Sequence, residues 1–239
     1  MSTTLFSATG CVRCKVIRQF MEERSLAFQD HDALGEGREA FRAFYQGNRP
    51  HIHRGADGIE FPVYSDGDVI LQGLAPILGH LVAGPALKGF FKPGVLHGEW
   101  VDGIDLSGGD PAGGEPLLDV LQHLKKQGFK LQVETNGLHA ALLKATLERS
   151  LADRVVMFVK GPLELYGLIL QQAVDPEEIT ESIALVATCS DHRFVTTVEP
   201  IVREGGEPAG ISYITPEEVG EAARLIRSVT GDTRQPYFL

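Results

Sequence analysis

From residue 103 to residue 229 the chain alternates strand-like and helix-like patterns. Apolar runs at 103–106, 130–134, 154–159 and 194–198 are each followed by a helical stretch, at 115–127, 140–149, 176–187 and 216–229. Short strands that each feed a helix cannot pair with their successors through a tight turn. They lie parallel, joined by helical crossovers. A last apolar segment, 237–239, reads as one more strand. Four strand–helix units and a terminal strand are too few for a closed eight-stranded barrel. A partial, open (β/α) barrel is therefore expected. Ligands of such sheets bind beyond the carboxyl ends of the strands. Ser107-Gly108-Gly109-Asp110-Pro111, Thr135-Asn136-Gly137 and Lys160-Gly161-Pro162 would gather there on one rim.

The first third has a different rhythm. Strands are expected at 4–6, 27–30, 61–64 and 69–71, and helices at 14–24, 38–46 and 75–82. Val16, Ile17, Phe20 and Met21 share one face of the first helix. Ser65-Asp66-Gly67-Asp68 between two apolar runs is a hairpin signal. A small mixed sheet with flanking helices follows. The expected organisation is a domain over 1–83, a linker over 84–95 and a second domain over 96–239. The linker is rich in Gly and Pro but holds Phe90 and Phe91, so it should pack.

Chemistry concentrates at Cys11-Val12-Arg13-Cys14, after the first strand and at the start of the first helix. The helix dipole and free N–H groups at such a start stabilise a thiolate on Cys11 and lower its pKa, and Arg13 and Lys15 add positive charge. A reversible dithiol is the reading these residues favour. The remaining thiol, Cys189, reads as a buried free cysteine. A second use of the pair is metal binding: His51-Ile52-His53, on a strand, would present both imidazoles on one face, and two Cys with two His suit zinc.

Composition excludes several classes. The net charge is −10 in 239 residues, and the pI is about 5.3, which argues against nucleic acid and anionic membranes as partners. No apolar run reaches membrane-spanning length. The N-terminus lacks a signal-peptide pattern. Three cysteines make no disulfide framework, so a reducing cytoplasm is expected. The glycine-rich 204–208 segment is acidic and lacks the Lys and Ser/Thr of a phosphate loop. Glu177-Glu178 and Glu217-Glu218 suit helix starts and need no further role. Lys160 is either a substrate-facing cation or the partner of Asp105, Asp110 or Glu134.

The N-terminal segment resembles the glutaredoxins of the thioredoxin-like superfamily. The resemblance rests on residues 5–15, on Phe61-Pro62-Val63-Tyr64, on Asp66-Gly67 and on Gly73. It implies Cys11 as attacking thiolate, Cys14 as resolving thiol and Pro62 as a cis-proline facing them. Two positions depart from the family. Val12-Arg13 replaces Pro-Tyr between the cysteines, and Glu60-Phe61 replaces Thr-Val before the proline. Both shape the glutathione site, so glutathione, another small thiol and a protein disulfide stand as alternative partners.

The second segment resembles the radical SAM proteins, in particular the activating enzymes of anaerobic ribonucleotide reductase. Residues 102–111, 133–137, 152–162, 166–167 and 194–198 carry that resemblance. It implies that Gly108, Gly109 and Asp110 stand where the family's Gly-Gly-Glu-Pro holds the amino group of S-adenosylmethionine. Thr135 and Asn136 would then face its ribose or carboxylate. Plain turn chemistry accounts for both stretches equally. The family's Cys-x-x-x-Cys-x-x-Cys motif is absent, and the strand–helix unit that carries it is replaced in the chain by the glutaredoxin-like segment. Neither a 4Fe–4S cluster nor SAM as cofactor is expected.

The sequence thus points to a thiol–disulfide oxidoreductase with a cluster-free radical-SAM-like domain for partner or ligand binding. One alternative is a non-catalytic adaptor that recognises an anaerobic radical enzyme or a SAM-like ligand. Another is a Cys/His metal-binding protein.

Overall fold

The computed structural model describes residues 3–55, 58–203 and 210–239. The protein is a mixed α/β chain that divides into two compact units, residues 1–103 with 115–129 and residues 104–114 with 130–239. The 204–208 segment lies outside the described residues.

The first unit runs β1 (Thr4–Ser7), α1 (Val12–Glu23), β2 (Gln29–Asp32), α2 (Arg38–Asn48), a small hairpin of β3 (Arg54–Gly55) and β4 (Gly58–Ile59), β5 (Val63–Ser65), β6 (Ile70–Gln72) and α3 (Leu74–Ala83). Four of these strands form a sheet in the order β2-β1-β5-β6. β1 and β2 are parallel, with Leu5 opposite Asp30, because α1 carries the chain from one to the other. β5 is antiparallel to both β1 and β6. Asp66 shapes the β5–β6 turn by accepting from the Asp68 and Val69 amides, each at 3.0 Å. The apolar face anticipated for α1 is the buried one: Val16, Ile17, Phe20 and Met21, with Cys14. Each large side chain there contributes about 1.5–3 kcal/mol by leaving water. Phe6, Ala33, Ile52 and Val63 form another core cluster, against which Phe41, Phe44, Tyr45 and Phe61 pack.

The chain continues through β7 (Trp100–Asp105), α4 (Gly114–Lys126), β8 (Lys130–Thr135), α5 (Ala140–Glu148), β9 (Arg154–Phe158), α6 (Leu163–Leu170), α7 (Pro176–Ala187), β10 (His192–Val195), β11 (Pro200–Val202), β12 (Ile211–Tyr213), α8 (Pro216–Thr230) and β13 (Tyr237–Phe238). The five-stranded parallel sheet has the order β13-β10-β9-β8-β7. Its ladders include Thr135 opposite Met157 and Phe194 opposite Tyr237. Helix starts are chemically marked. Asp175 caps α7 through the Glu177 amide, and Thr215 with Glu218 forms a capping box on α8.

Two features differ from the sequence reading. Helix α6 and the β11–β12 hairpin occupy stretches that periodicity leaves blank. β10 ends at Val195, and the Thr196 hydroxyl then donates to the Val159 carbonyl at 2.8 Å. In the hairpin Ile201 points inward, buried beside Leu165 and Ile214. Val202 and Ile211, opposite each other in the register, point outward and are 62% and 69% exposed, and Tyr213 is 57% exposed. Among the described residues no helix is long and apolar enough to cross a membrane.

Candidate functional site

Cys11 is the N-cap residue of α1, in extended conformation, and the Cys14 amide points at its sulfur at 3.1 Å. The two cysteines form a disulfide across the first turn, with Cα atoms 5.3 Å apart. They are not equivalent. Cys11 is half-buried, and Cys14, on the buried face of α1, is fully buried. The Cys11 sulfur lies 3.8 Å from the Phe61 carbonyl oxygen. The Phe61–Pro62 peptide bond is cis, so the structure brings Pro62 and the cysteine pair together. In the loop before Cys11 the Thr9 hydroxyl donates to Asp32. That bond, followed by the Leu34 amide, holds the Asp32 carboxyl below the usual carboxylate range.

Arg13 does not stand as a free cation beside the thiols. Its guanidinium pairs with Glu60 and donates to the Leu96 carbonyl at 2.9 Å and the Trp100 carbonyl at 2.6 Å. The two positions that depart from the glutaredoxin pattern are therefore partners. Arg13, between the cysteines, and Glu60, two residues before the proline, neutralise each other. Their side chains are only 13% and 23% exposed. The Gln72 amide fixes the same edge, donating to the Glu60 and His53 carbonyls, both at 3.0 Å.

His51 and His53 do not sit on a strand. Arg49–His51 is one turn of 3-10 helix with proline at its start. Pro50 has no N–H for a ladder, and its fixed φ suits the first turn of a helix. Both imidazoles are exposed. Among the described residues no group of three or more His, Cys, Asp or Glu is placed to hold a metal ion. Cys189 is a free, half-buried thiol, and burial pushes its pKa up.

In the second unit the loops after β7 and β8 meet. Ser107 Oγ lies 2.9 Å from Thr135 Oγ1, accepts from the Asn136 amide at 2.9 Å and reaches the Leu138 carbonyl at 3.3 Å. The segments holding Gly108, Gly109 and Asp110 and holding Thr135 and Asn136 are thus brought to one place. Their side-chain oxygens are occupied locally. Asp110 accepts from the Ala112 amide at 2.9 Å. Thr135, fully buried, accepts from the Gly137 amide, and Asn136 from the Leu138 amide, both at 3.0 Å. The backbone of the Gly108-Gly109 pair, which carries no side chains, is what an ammonium group could approach. Gly137 itself sits at φ +99°, and a Cβ there would meet Met157 Cε at 2.8 Å and Ile179 Cδ1 at 2.9 Å, so those side-chain ends would have to shift.

Lys160 pairs with Glu199 at 2.5 Å rather than with Asp105, Asp110 or Glu134. Glu199 is held below the usual carboxylate range: burial opposes the shift, and the Lys160 and Thr197 hydrogen bonds outweigh it. Glu178 does more than sit near a helix start. Its Oε1 accepts from the amides of His139 at 2.8 Å and Ala140 at 3.2 Å, capping α5 from a distance. No local sequence signal marks that role.

A stretch of 85 residues is 28% identical to a protein of Methanocaldococcus jannaschii that bears the name glycyl-radical enzyme activating enzyme, and the match covers 35% of each chain. The chain spans about a third of the length of this curated relative. No protein-family model matches the chain, and no solved structure gives a significant match. A radical SAM cluster needs three thiolates in one motif. The chain has three cysteines in all, two of which share a disulfide, so its donor set does not fit that group.

Proposed function

We propose that the chain is a thiol–disulfide oxidoreductase whose first unit, centred on residues 1–83, is thioredoxin-like. The reading rests on one observation: a half-exposed Cys11 and a buried Cys14 at the start of α1, against the carbonyl that precedes Pro62. The β2-β1-β5-β6 sheet with one parallel and two antiparallel ladders supports it. The Cys11 thiolate attacks one sulfur of a substrate disulfide and expels the other as a thiolate. Cys14 then attacks the Cys11 sulfur and releases the second substrate thiolate. Two electrons pass from the dithiol to the substrate, and the freed thiolates take up the protons that the dithiol gave up. The donor that restores the dithiol is a small thiol such as glutathione or a protein dithiol. The reducing compartment is the cytoplasm.

The test uses pre-reduced protein and a disulfide substrate in a single turnover. Cys14→Ser should accumulate a mixed disulfide seen by mass, and Cys11→Ser should give none. Equal reaction by Cys11→Ser would end this reading.

A second reading is favoured by the relative's name. The second unit, read as a partial barrel of radical SAM type, would recognise a radical enzyme or a SAM-like ligand at the Gly108–Asp110 and Thr135–Asn136 loops. Calorimetry with S-adenosylmethionine and S-adenosylhomocysteine tests the ligand half, and absence of heat with both removes it.

A further inference from the structure

Beside the dithiol, the first unit carries a groove of about 860 Å³ lined by α2, the β3–β4 hairpin and Phe61. Arg38, Phe41, Arg42 and Tyr45 lie on its helical wall, at the i, i+3, i+4, i+7 spacing of a single face. Arg54 stands on the hairpin side. Phe61 joins the groove to the chemistry: its side chain lines the groove, and its carbonyl oxygen lies 3.8 Å from the Cys11 sulfur.

Charge sets the occupant. Among the described residues, three arginines line the groove against one carboxylate, Glu39, in a chain of net charge −10. All three are exposed. Among the described residues no ion pair engages any of the three, whereas Arg13, Arg18, Arg154 and Arg203 each have a carboxylate partner. Arg38 also opens the first turn of α2, where the helix dipole disfavours cations. The three guanidinium groups face solvent along one groove. Such a row is complementary to a ligand with carboxylates, because guanidinium groups grip carboxylates in a planar, forked geometry. The aromatic floor of Phe41, Tyr45 and Phe61 adds an apolar demand.

We propose that this groove docks an acidic, apolar-containing polypeptide segment that carries the disulfide Cys11 reduces, with Arg38, Arg42 and Arg54 as the residues that select it. The proposal rests on the oxidoreductase reading and names its substrate class.

Single-turnover oxidation of the pre-reduced protein tests it. The probes are short synthetic peptides, each closed by one disulfide and differing only in flanking residues: glutamate, glutamine or lysine. Oxidised glutathione and a small neutral disulfide run alongside. The unmodified protein should prefer the glutamate peptide over the glutamine one by about tenfold at low salt, and that preference should shrink as salt rises. The R38E/R42E/R54E variant should turn the preference toward the lysine peptide, a gain that a misfolded protein cannot show. Equal rates on all three peptides, with the small disulfide still consumed, overturn the groove and leave the oxidoreductase reading standing. A preference for glutathione alone, blind to peptide charge, overturns it in the same way. Failure to react with any disulfide overturns the oxidoreductase reading, and the groove proposal falls with it.

Discussion

Removing Arg13 is the sharpest test of how the dithiol edge is held. Its guanidinium serves three acceptors: the Glu60 carboxylate, the Leu96 carbonyl and the Trp100 carbonyl. Truncation removes that donor from each of them. A net hydrogen bond to a charged group is worth about 1.5–3 kcal/mol, and breaking a buried ion pair costs about 3–5 kcal/mol. Glu60 keeps some contact with water, being 23% exposed, so the lower part of that range applies. The expected loss for Arg13→Ala is about 3 kcal/mol. With a urea m-value of about 2 kcal/mol per M, the midpoint should fall by about 1.5 M. Trp100 is the chain's single tryptophan, and its own carbonyl is an Arg13 acceptor, so its fluorescence follows the affected segment directly. Arg13→Lys should recover only part of the loss, because an ammonium cannot span three acceptors in one plane. Glu60→Gln in the Arg13→Ala background should cost much less than it does alone, since the orphaned charge is then gone. A midpoint shift below about 0.3 M for Arg13→Ala would refute the reasoning and make the cluster a surface contact of no energetic weight.

Further outcomes follow from burial and backbone. In the reduced protein iodoacetamide should alkylate Cys11 well before Cys14, since Cys14 is fully buried, and peptide mass mapping reads the order. His123 packs edge-on against Phe20, ring centroids 5.2 Å apart, and burial, then the nearby Arg24, holds its pKa below the ordinary value. The unfolded chain therefore takes up that proton first, so stability is full above about pH 6.5 and is lost as pH falls toward the folded-state value. Tm scans from neutral to mildly acidic pH should show a steeper decline for the native protein than for His123→Phe. Gly137→Ala should destabilise by about 1–3 kcal/mol, chiefly from holding a side-chain-bearing residue at φ +99°, and a change under about 0.5 kcal/mol in urea unfolding would contradict that strain.

What the sequence disclosed was whatever depends on neighbours a turn away. The spacing of Val16, Ile17, Phe20 and Met21 placed the buried face of α1, and Asp66-Gly67 placed the β5–β6 turn. The strand expected at His51–His53 failed for an equally local reason, Pro50, whose missing N–H suits a helical start and not a ladder. Long-range partners were out of reach. Arg13 and Glu60 are 47 residues apart, and nothing near either announces the other. Lys160 had several carboxylates within plausible reach in the alternating pattern, and its partner, Glu199, stood outside all of them. Glu178 looked like an ordinary first-turn acid, and its work is done on the amides of His139 and Ala140. A helical pattern shows that a face is apolar, not what covers it. Residues 115–129 group with the first unit, a placement their periodicity does not contain.

The β11–β12 hairpin bears on how the purified protein behaves in the tube. Val202 and Ile211 form an outward apolar pair, with Tyr213 beside them, and an uncovered apolar strand face invites self-contact. At neutral pH the charge of −10 keeps copies apart by mutual repulsion. Near the isoelectric point of about 5.3 that repulsion vanishes while the apolar face remains. Mildly acidic buffers and high salt, which screens the same repulsion, are therefore the conditions under which concentrated protein should cloud first, and the hairpin is where a polar substitution would keep it clear.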